Sequence, residues 1–191
     1  MKAIDFLNEF QRIFIENAEK AKMTYCDNRR FTKFITQKIN KMLSKEEKKK
    51  QNEYFRIDAI QWTGKADLIG KPQDIHLNKH LWDLEVAVEH ENNPADWMDE
   101  VVKLAHIACP LRVVIGYMPW DKRNEDLRYL NHVGRWLKEL QCKDNVQRGE
   151  FLVILGNSNT GENIERFFNY RGYLLNPENF CFDMIGNAEI K

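Results

Sequence analysis

The sequence predicts an α/β fold in which a mixed central sheet is flanked by helices. Two observations support this prediction: two helical patterns precede the first strand pattern, and strand patterns then alternate with helical ones. Strands that are separated by crossover helices imply a sheet covered on both faces. The chain has 191 residues, 43% apolar and 30% charged, which is an ordinary globular composition, and we expect a single domain over 1–191.

The first part of the chain carries the two helical patterns. Residues 2–20 place apolar side chains at spacings of three and four, and residues 30–45 repeat this pattern from Phe31 onwards. The second pattern has a lysine-rich opposite face. The charged stretch 44–52 follows, and we expect it to be a loop.

The periodicity then changes to that of strands. Residues 54–62 are rich in aromatic and β-branched side chains, which favours a strand, and residues 63–80 contain turn signals with at most one short strand. Residues 81–91 show the clearest alternation in the chain, with mostly apolar even positions and mostly acidic odd positions. The pattern predicts a strand with one dry face and one acidic face.

The remaining patterns alternate between helix and strand. Residues 95–109 predict a helix that Pro110 ends, and residues 111–118 predict a buried strand. A helix over 124–140, a strand over 151–155 and two short strands within 170–185 complete the series.

Charge is distributed unevenly, although the formal net charge of the chain is zero. Nine basic and two acidic residues lie in 29–50, a net charge of +7, whereas 83–100 contains seven acids and neither Lys nor Arg. We expect 29–50 to be a basic helical appendage. Lys38, Lys41 and Lys45 are its candidate nucleic-acid contacts, because Lys and Arg supply most non-specific affinity for phosphates. A solvated helix face is the alternative.

The cysteines and the hydropathy pattern bear on location. The four cysteines are far apart and form no Cys-x-x-Cys pair, which argues against a structural zinc site. No apolar run approaches the roughly 18 residues of a membrane span, and the N-terminal stretch does not resemble a secretory signal. These observations predict a cytoplasmic protein without a membrane partner.

Three acidic residues form the candidate catalytic site. Glu89 and Glu91 are two positions apart on a predicted strand and so point to one side, and Asp58 lies on the preceding predicted strand. Two carboxylates about 4 Å apart repel by about 4 kcal/mol at an effective dielectric of 20, so such a cluster favours a bound cation. Oxygen ligands suit Mg²⁺ or Mn²⁺. The alternative is an ordinary solvated strand face.

These residues also carry a family resemblance. Arg56-Ile-Asp58, the strand Leu84–Asn92 with its Glu89-His-Glu91, the helix after it and the strand that begins at Pro110 resemble the PD-(D/E)xK nuclease superfamily over about residues 2–118. The resemblance implies a restriction endonuclease-like fold. It also implies Mg²⁺- or Mn²⁺-dependent hydrolysis of phosphodiesters in nucleic acid, most simply DNA. A homodimer would follow if both strands of a duplex are cut.

The sequence departs from the family motif at two positions. Ile57 stands where the motif has Pro, and Glu91 stands where it has Lys, which gives a Glu-x-Glu variant. Some members carry the lysine on the following helix, and Lys103 is the candidate here. Members often add an acid from the first helix, for which Glu9 or Glu16 would serve.

The sequence is consistent with two further interpretations. The missing motif lysine favours a catalytically inactive nuclease-fold module that binds protein or nucleic acid, as an antitoxin or immunity protein does. His90 falls on the apolar face of its predicted strand, so we expect it to be a core or supporting residue and not a ligand.

Overall fold

A computed structural model describes residues 1–25, 27–44, 49–54, 56–64, 82–122, 124–158 and 169–189. Its centre is a seven-stranded sheet in which the strands lie in the order in which they occur in the chain. The strands are β1 Lys49–Tyr54, β2 Ile57–Gly64, β3 Trp82–His90, β4 Leu111–Met118, β5 Glu150–Asn157, β6 Asn169–Leu175 and β7 Phe182–Glu189.

The sheet is mixed, as predicted. Strands β1 to β3 are antiparallel, β3 to β5 are parallel, and β5 to β7 are antiparallel again. As a consequence, one end of the sheet contains the C-terminal ends of β3, β4 and β5 together with the N-terminal ends of β2 and β6. The candidate site lies at this end.

Helices cover both faces of the sheet. The helices are α1 Ala3–Glu16, α2 Ala18–Tyr25, α3 Asn28–Leu43, α4 Trp97–Ala105, α5 Asp126–Glu139 and α6 Lys143–Gln147, with a short 3₁₀ helix at Trp120–Lys122. Helices α1 to α3 pack their apolar residues on one face, and α4 to α6 pack on the other. The helix α4 connects β3 to β4, and α5 and α6 connect β4 to β5.

The helical part of the basic segment, α3, is part of the core and not an appendage. Six apolar side chains of α3 are buried: Phe31, Phe34, Ile35, Ile39, Met42 and Leu43. The predicted N-terminal helix 2–20 also differs in detail, because it ends at Glu16 and a second helix begins after Asn17, whose side chain donates a hydrogen bond to the Ile13 carbonyl (2.7 Å).

The expected loop at 44–52 was wrong for its last four residues, which belong to β1. The predicted strand 54–62 corresponds to β2 from Ile57 onwards, whereas Tyr54 is the last residue of β1, because the chain turns at Arg56, where φ is 63°. Strand β1 lies at the edge of the sheet and is polar and lysine-rich, a composition typical of edge strands. Most of the predicted turn region 63–80 lies outside the described residues.

In the ranges that the structure describes, no helix is long and apolar enough to cross a membrane.

Candidate functional site

Asp58 and Glu89 face each other across two neighbouring strands. The register that pairs Ala59 with Val88 places Asp58, at the start of β2, opposite Glu89, near the end of β3. Opposite residues of an antiparallel pair project to the same face of the sheet. Asp58 Oδ2 accepts a hydrogen bond from the backbone N–H of His90 (2.8 Å), which fixes the half-buried carboxylate beside Glu89.

Glu89 is buried in the protein. Its residue exposure is 2%, although Asp83 on the same predicted acidic face is exposed. The face is therefore solvated only towards the start of β3, and α4 covers the rest of it. Burial raises the pKa of Glu89 to about 8, and the nearby charge of Asp58 acts in the same direction, while the ion pair with Lys103 opposes both.

Lys103 approaches the two acids from α4. Its Nζ lies 2.8 Å from Glu89 Oε1, forms a second ion pair with Glu100, and donates a hydrogen bond to the Arg56 carbonyl (3.1 Å). Partial burial tends to lower the pKa of Lys103, but the interactions with Glu100 and Glu89 outweigh it and the pKa is raised. Lys103, the candidate that the sequence offered on the following helix, therefore lies beside Glu89 in this chain.

Close packing of α4 on the sheet holds Lys103 in this position. The buried side chain of Trp97, the first residue of α4, lies directly over Gly116 of β4. A Cβ at position 116 would be 2.5 Å from the Trp97 Cβ. Val101 and Leu104 are also fully buried, which leaves Glu100 and Lys103 along the side of the helix towards Asp58.

The carboxyl group of Asp58 is influenced by the same surroundings. Burial raises its pKa, the His90 hydrogen bond and Lys103 lower it, and the charges of Glu100 and Glu91 raise it further, with a net upward shift. Both acids of the pair are therefore in an environment that disfavours their charged forms.

Glu91 does not join the other two acids. Strand β3 ends at His90, and Glu91 Oε1 accepts a hydrogen bond from the backbone N–H of Asn93 (2.7 Å) in the turn that follows. Within the described ranges, no group of three His, Cys, Asp or Glu side chains is placed to hold a metal ion. The structure thus brings Asp58, Glu89 and Lys103 together but does not assemble the expected three-carboxylate cluster.

His90 lies on the opposite face of the sheet, as predicted for a core histidine. Its Nε2 is 2.9 Å from the Tyr117 hydroxyl, which is 3.2 Å from the hydroxyl of Tyr170. Burial lowers the pKa of His90 to about 3, so its ring is neutral. Its contact with the candidate site is the backbone N–H, which donates to Asp58 Oδ2.

The other sequence candidates lie on the α1–α3 face. Lys38 is half-buried and donates to Asn17 Oδ1 (2.5 Å), and its pKa is lowered by burial and by the charges of Lys20 and Lys41. A cavity of about 220 Å³ between α1 and α3 is lined by Arg12, Ile13, Glu16, Asn17, Lys38 and Lys41. Glu9 and Glu16 both pair with Arg12 on α1, away from Glu89. Lys45 lies outside the described residues.

Sequence reasoning missed a second buried polar network, on the α4–α6 face. Asp126 Oδ2 accepts hydrogen bonds from Arg171 Nε and from the Tyr173 hydroxyl (2.8 Å). Arg171 Nη1 also donates to Asn157 Oδ1 (2.9 Å). The partners are far apart in sequence and belong to two strands and a helix, so no local sequence motif indicates them.

Comparison with protein-family models, with curated proteins and with solved structures finds no match to this chain.

Proposed function

We propose that this protein is a metal-dependent nuclease of the restriction endonuclease-like type, with Asp58 and Glu89 as its metal ligands. The observation that carries the proposal is the convergence of these two acids with Lys103, whose Nζ is 2.8 Å from Glu89 Oε1. One acid at the start of a strand, a second at the end of the next, and a lysine beside them are the elements of the family motif.

The order of secondary structure elements agrees with the proposal. The family core consists of a helix, three strands, a helix and a strand, and α3, β1, β2, β3, α4 and β4 follow one another in that order. Asp58 and Glu89 also lie on the second and third of these strands, as the motif requires. In this proposal Lys103 on α4 replaces the motif lysine. The Glu91 carboxylate instead accepts a hydrogen bond in the turn after β3.

The donor set fits Mg²⁺ or Mn²⁺. Proteins usually hold Mg²⁺ through one or two carboxylates together with substrate phosphates and water, so a third acid is not required. Both carboxyl groups have raised pKa values because burial disfavours their charged forms, and a cation would relieve that cost. A bound Mg²⁺ would polarise the phosphodiester and supply an activated water.

The residues of the chain have separate tasks in this proposal. Asp58 is held in place by the His90 N–H, and Glu89 is fixed within the packed α4–β3 interface. The ammonium group of Lys103 is partly exposed, so it can move from Glu89 towards a phosphate or the attacking water and stabilise negative charge there. The substrate we propose is DNA, and Lys41 on the exposed side of α3 would add non-specific affinity for it.

A thermal titration tests this proposal. Millimolar Mg²⁺ or Mn²⁺ should raise the melting temperature of the parent, because a ligand that binds only the folded state stabilises it. Glu89→Gln should abolish the rise and any cleavage of DNA. Glu91→Gln is the matched control, and it should keep the rise because Glu91 is bonded to Asn93. A parent without metal-induced stabilisation, with DNA present or absent, would refute the nuclease.

One observation favours a second candidate, an inactive nuclease-fold module that binds nucleic acid or protein. Lys103 pairs with Glu89 and Glu100 and thereby neutralises much of the acidic pocket without a metal. In that case the parent would show neither metal-induced stabilisation nor cleavage, and Lys103→Met would leave DNA affinity unchanged. A nuclease would lose cleavage in the same variant while it kept its metal.

A further inference from the structure

The N-terminal turns of α3 pack against the chain on either side of Glu91, at the end of the sheet that carries the candidate site and on the opposite face from α4. Asn92, which follows Glu91, uses its side-chain amide to contact the Asn28 carbonyl (3.4 Å) and the Thr32 hydroxyl. The ring of Phe31 lies 6.1 Å from that of His90. The first two turns of α3 thus contact the residues that flank Glu91, at the same end of the sheet as Asp58 and Glu89.

These turns carry three exposed cations: Arg29, Arg30 and Lys33. Arg30 has a partner in Asp27 (3.4 Å). The side chains of Arg29 and Lys33 form no ion pair or hydrogen bond with any residue that the structure describes. They are four positions apart, so they lie on one side of the helix. The pair offers two positive charges without an ion-pair partner among the described residues, on the helix turns that contact Asn92 and His90.

The lysines singled out from the sequence are farther away. At a rise of 1.5 Å per residue, Lys38 and Lys41 lie about 9 Å and about 13 Å along α3 from Thr32, the point of contact with Asn92. Lys38 is moreover engaged with Asn17 and packs over the Phe34 ring. Arg29 and Lys33 are therefore better placed than Lys38 to meet a substrate that reaches Asp58 and Glu89.

We propose that Arg29 and Lys33 form a phosphate-binding surface that guides the DNA backbone to the acidic site. The reasoning is one of charge complementarity. The segment 83–100 has seven acids and neither Lys nor Arg, and Lys103 is the first basic side chain after it. This segment therefore repels a polyanion unless cations lie nearby. The inference rests on the proposed nuclease function for its substrate, but the surface itself is separate from the metal ligands.

Salt-dependent DNA binding tests the surface. A fluorescent DNA duplex is titrated with the full chain over a series of salt concentrations, with Ca²⁺ in place of Mg²⁺ to prevent cutting. The log–log slope of affinity against salt changes by about 0.9 for each phosphate contact to duplex DNA, so Arg29→Gln/Lys33→Gln should flatten it by about 1.8. The matched control Lys138→Gln/Lys143→Gln removes two exposed lysines from α5 and α6 and should leave the slope unchanged.

The outcomes separate this surface from the metal site. An unchanged slope in Arg29→Gln/Lys33→Gln, an equal change in the control, or no DNA binding by the parent would each overturn the surface. If the double variant flattens the slope but the parent shows no metal-induced stabilisation, the result would support the surface and refute the nuclease. If the double variant does not fold, Lys33→Gln alone should flatten the slope by about 0.9.

Discussion

Glu89 and Asp126 are two buried acids on the same face of the sheet, each 2% exposed, yet their surroundings differ. Asp126 is bonded to Arg171, whose side chain is 8% exposed, and to the Tyr173 hydroxyl. Glu89 has Lys103, whose side chain is 35% exposed and is shared with Glu100 and the Arg56 carbonyl.

These surroundings indicate which of the two buried acids has a structural role. A dry, enclosed pair such as Asp126 and Arg171 holds three elements together, namely α5, β6 and the end of β5, and neither partner can leave without an uncompensated charge. The side chain of Lys103, the partner of Glu89, is 35% exposed and is shared among Glu89, Glu100 and the Arg56 carbonyl, so our proposal allows a cation or a substrate to replace it. This difference supports our proposal that Glu89 has a chemical role, and it indicates a structural role for Asp126.

The largest expected effect comes from removing the two cationic partners. Arg171→Ala should lower the free energy of unfolding by about 3–5 kcal/mol, because it leaves the Asp126 charge buried without its partner. Lys103→Ala should cost about 1 kcal/mol or less, since the ion pair is partly exposed and Glu89 can take up a proton. Denaturant unfolding near neutral pH measures both. Equal losses in the two variants would contradict the comparison.

A middle-sized effect is expected from the packing that positions Lys103. In Gly116→Ala the new methyl would meet Trp97 at 2.5 Å, so α4 must shift, at a cost of about 1–3 kcal/mol. Gly172→Ala is the control on the other face, where the methyl would meet the end of the Leu7 side chain at 2.4 Å. Both should be less stable, but only Gly116→Ala should reduce metal-induced stabilisation. An equal reduction in both would assign it to general loosening.

Much of the fold could be predicted because its central strands have strong patterns. The alternation over 81–91 and the apolar run at 111–118 gave β3 and β4 almost to the residue, since buried strands need those side chains. The polar β1 could not be predicted, because the backbone pairing with β2 that defines it leaves no hydrophobic period in the sequence.

The site was predictable to the extent that it depends on strand geometry. Adjacent strands place Asp58 opposite Glu89, and that required only the two patterns. Glu91 follows the last residue of β3, so the two-residue periodicity no longer fixes where its side chain lies. The network around Asp126 joins residues 45 apart in sequence, and only the folded sheet brings it together.

A last expected effect is a pH dependence of stability that arises from the buried Glu89 carboxyl group. The pKa of Glu89 is raised from 4.5 to about 8, so between these values the folded protein holds a proton that the unfolded chain has lost. Its contribution to stability is complete below about pH 4.5 and is lost as the pH rises through about 8.

Asp58 has a raised pKa as well, so the contribution of Glu89 is isolated by comparison with Glu89→Gln, which cannot titrate. We expect the variant to gain stability relative to the metal-free parent across this interval and to show no further gain above it, as measured by denaturant unfolding in a pH series. A difference that stays constant with pH would mean that Lys103 keeps Glu89 ionised throughout. The distinction between an exchangeable and a structural pair would then be lost.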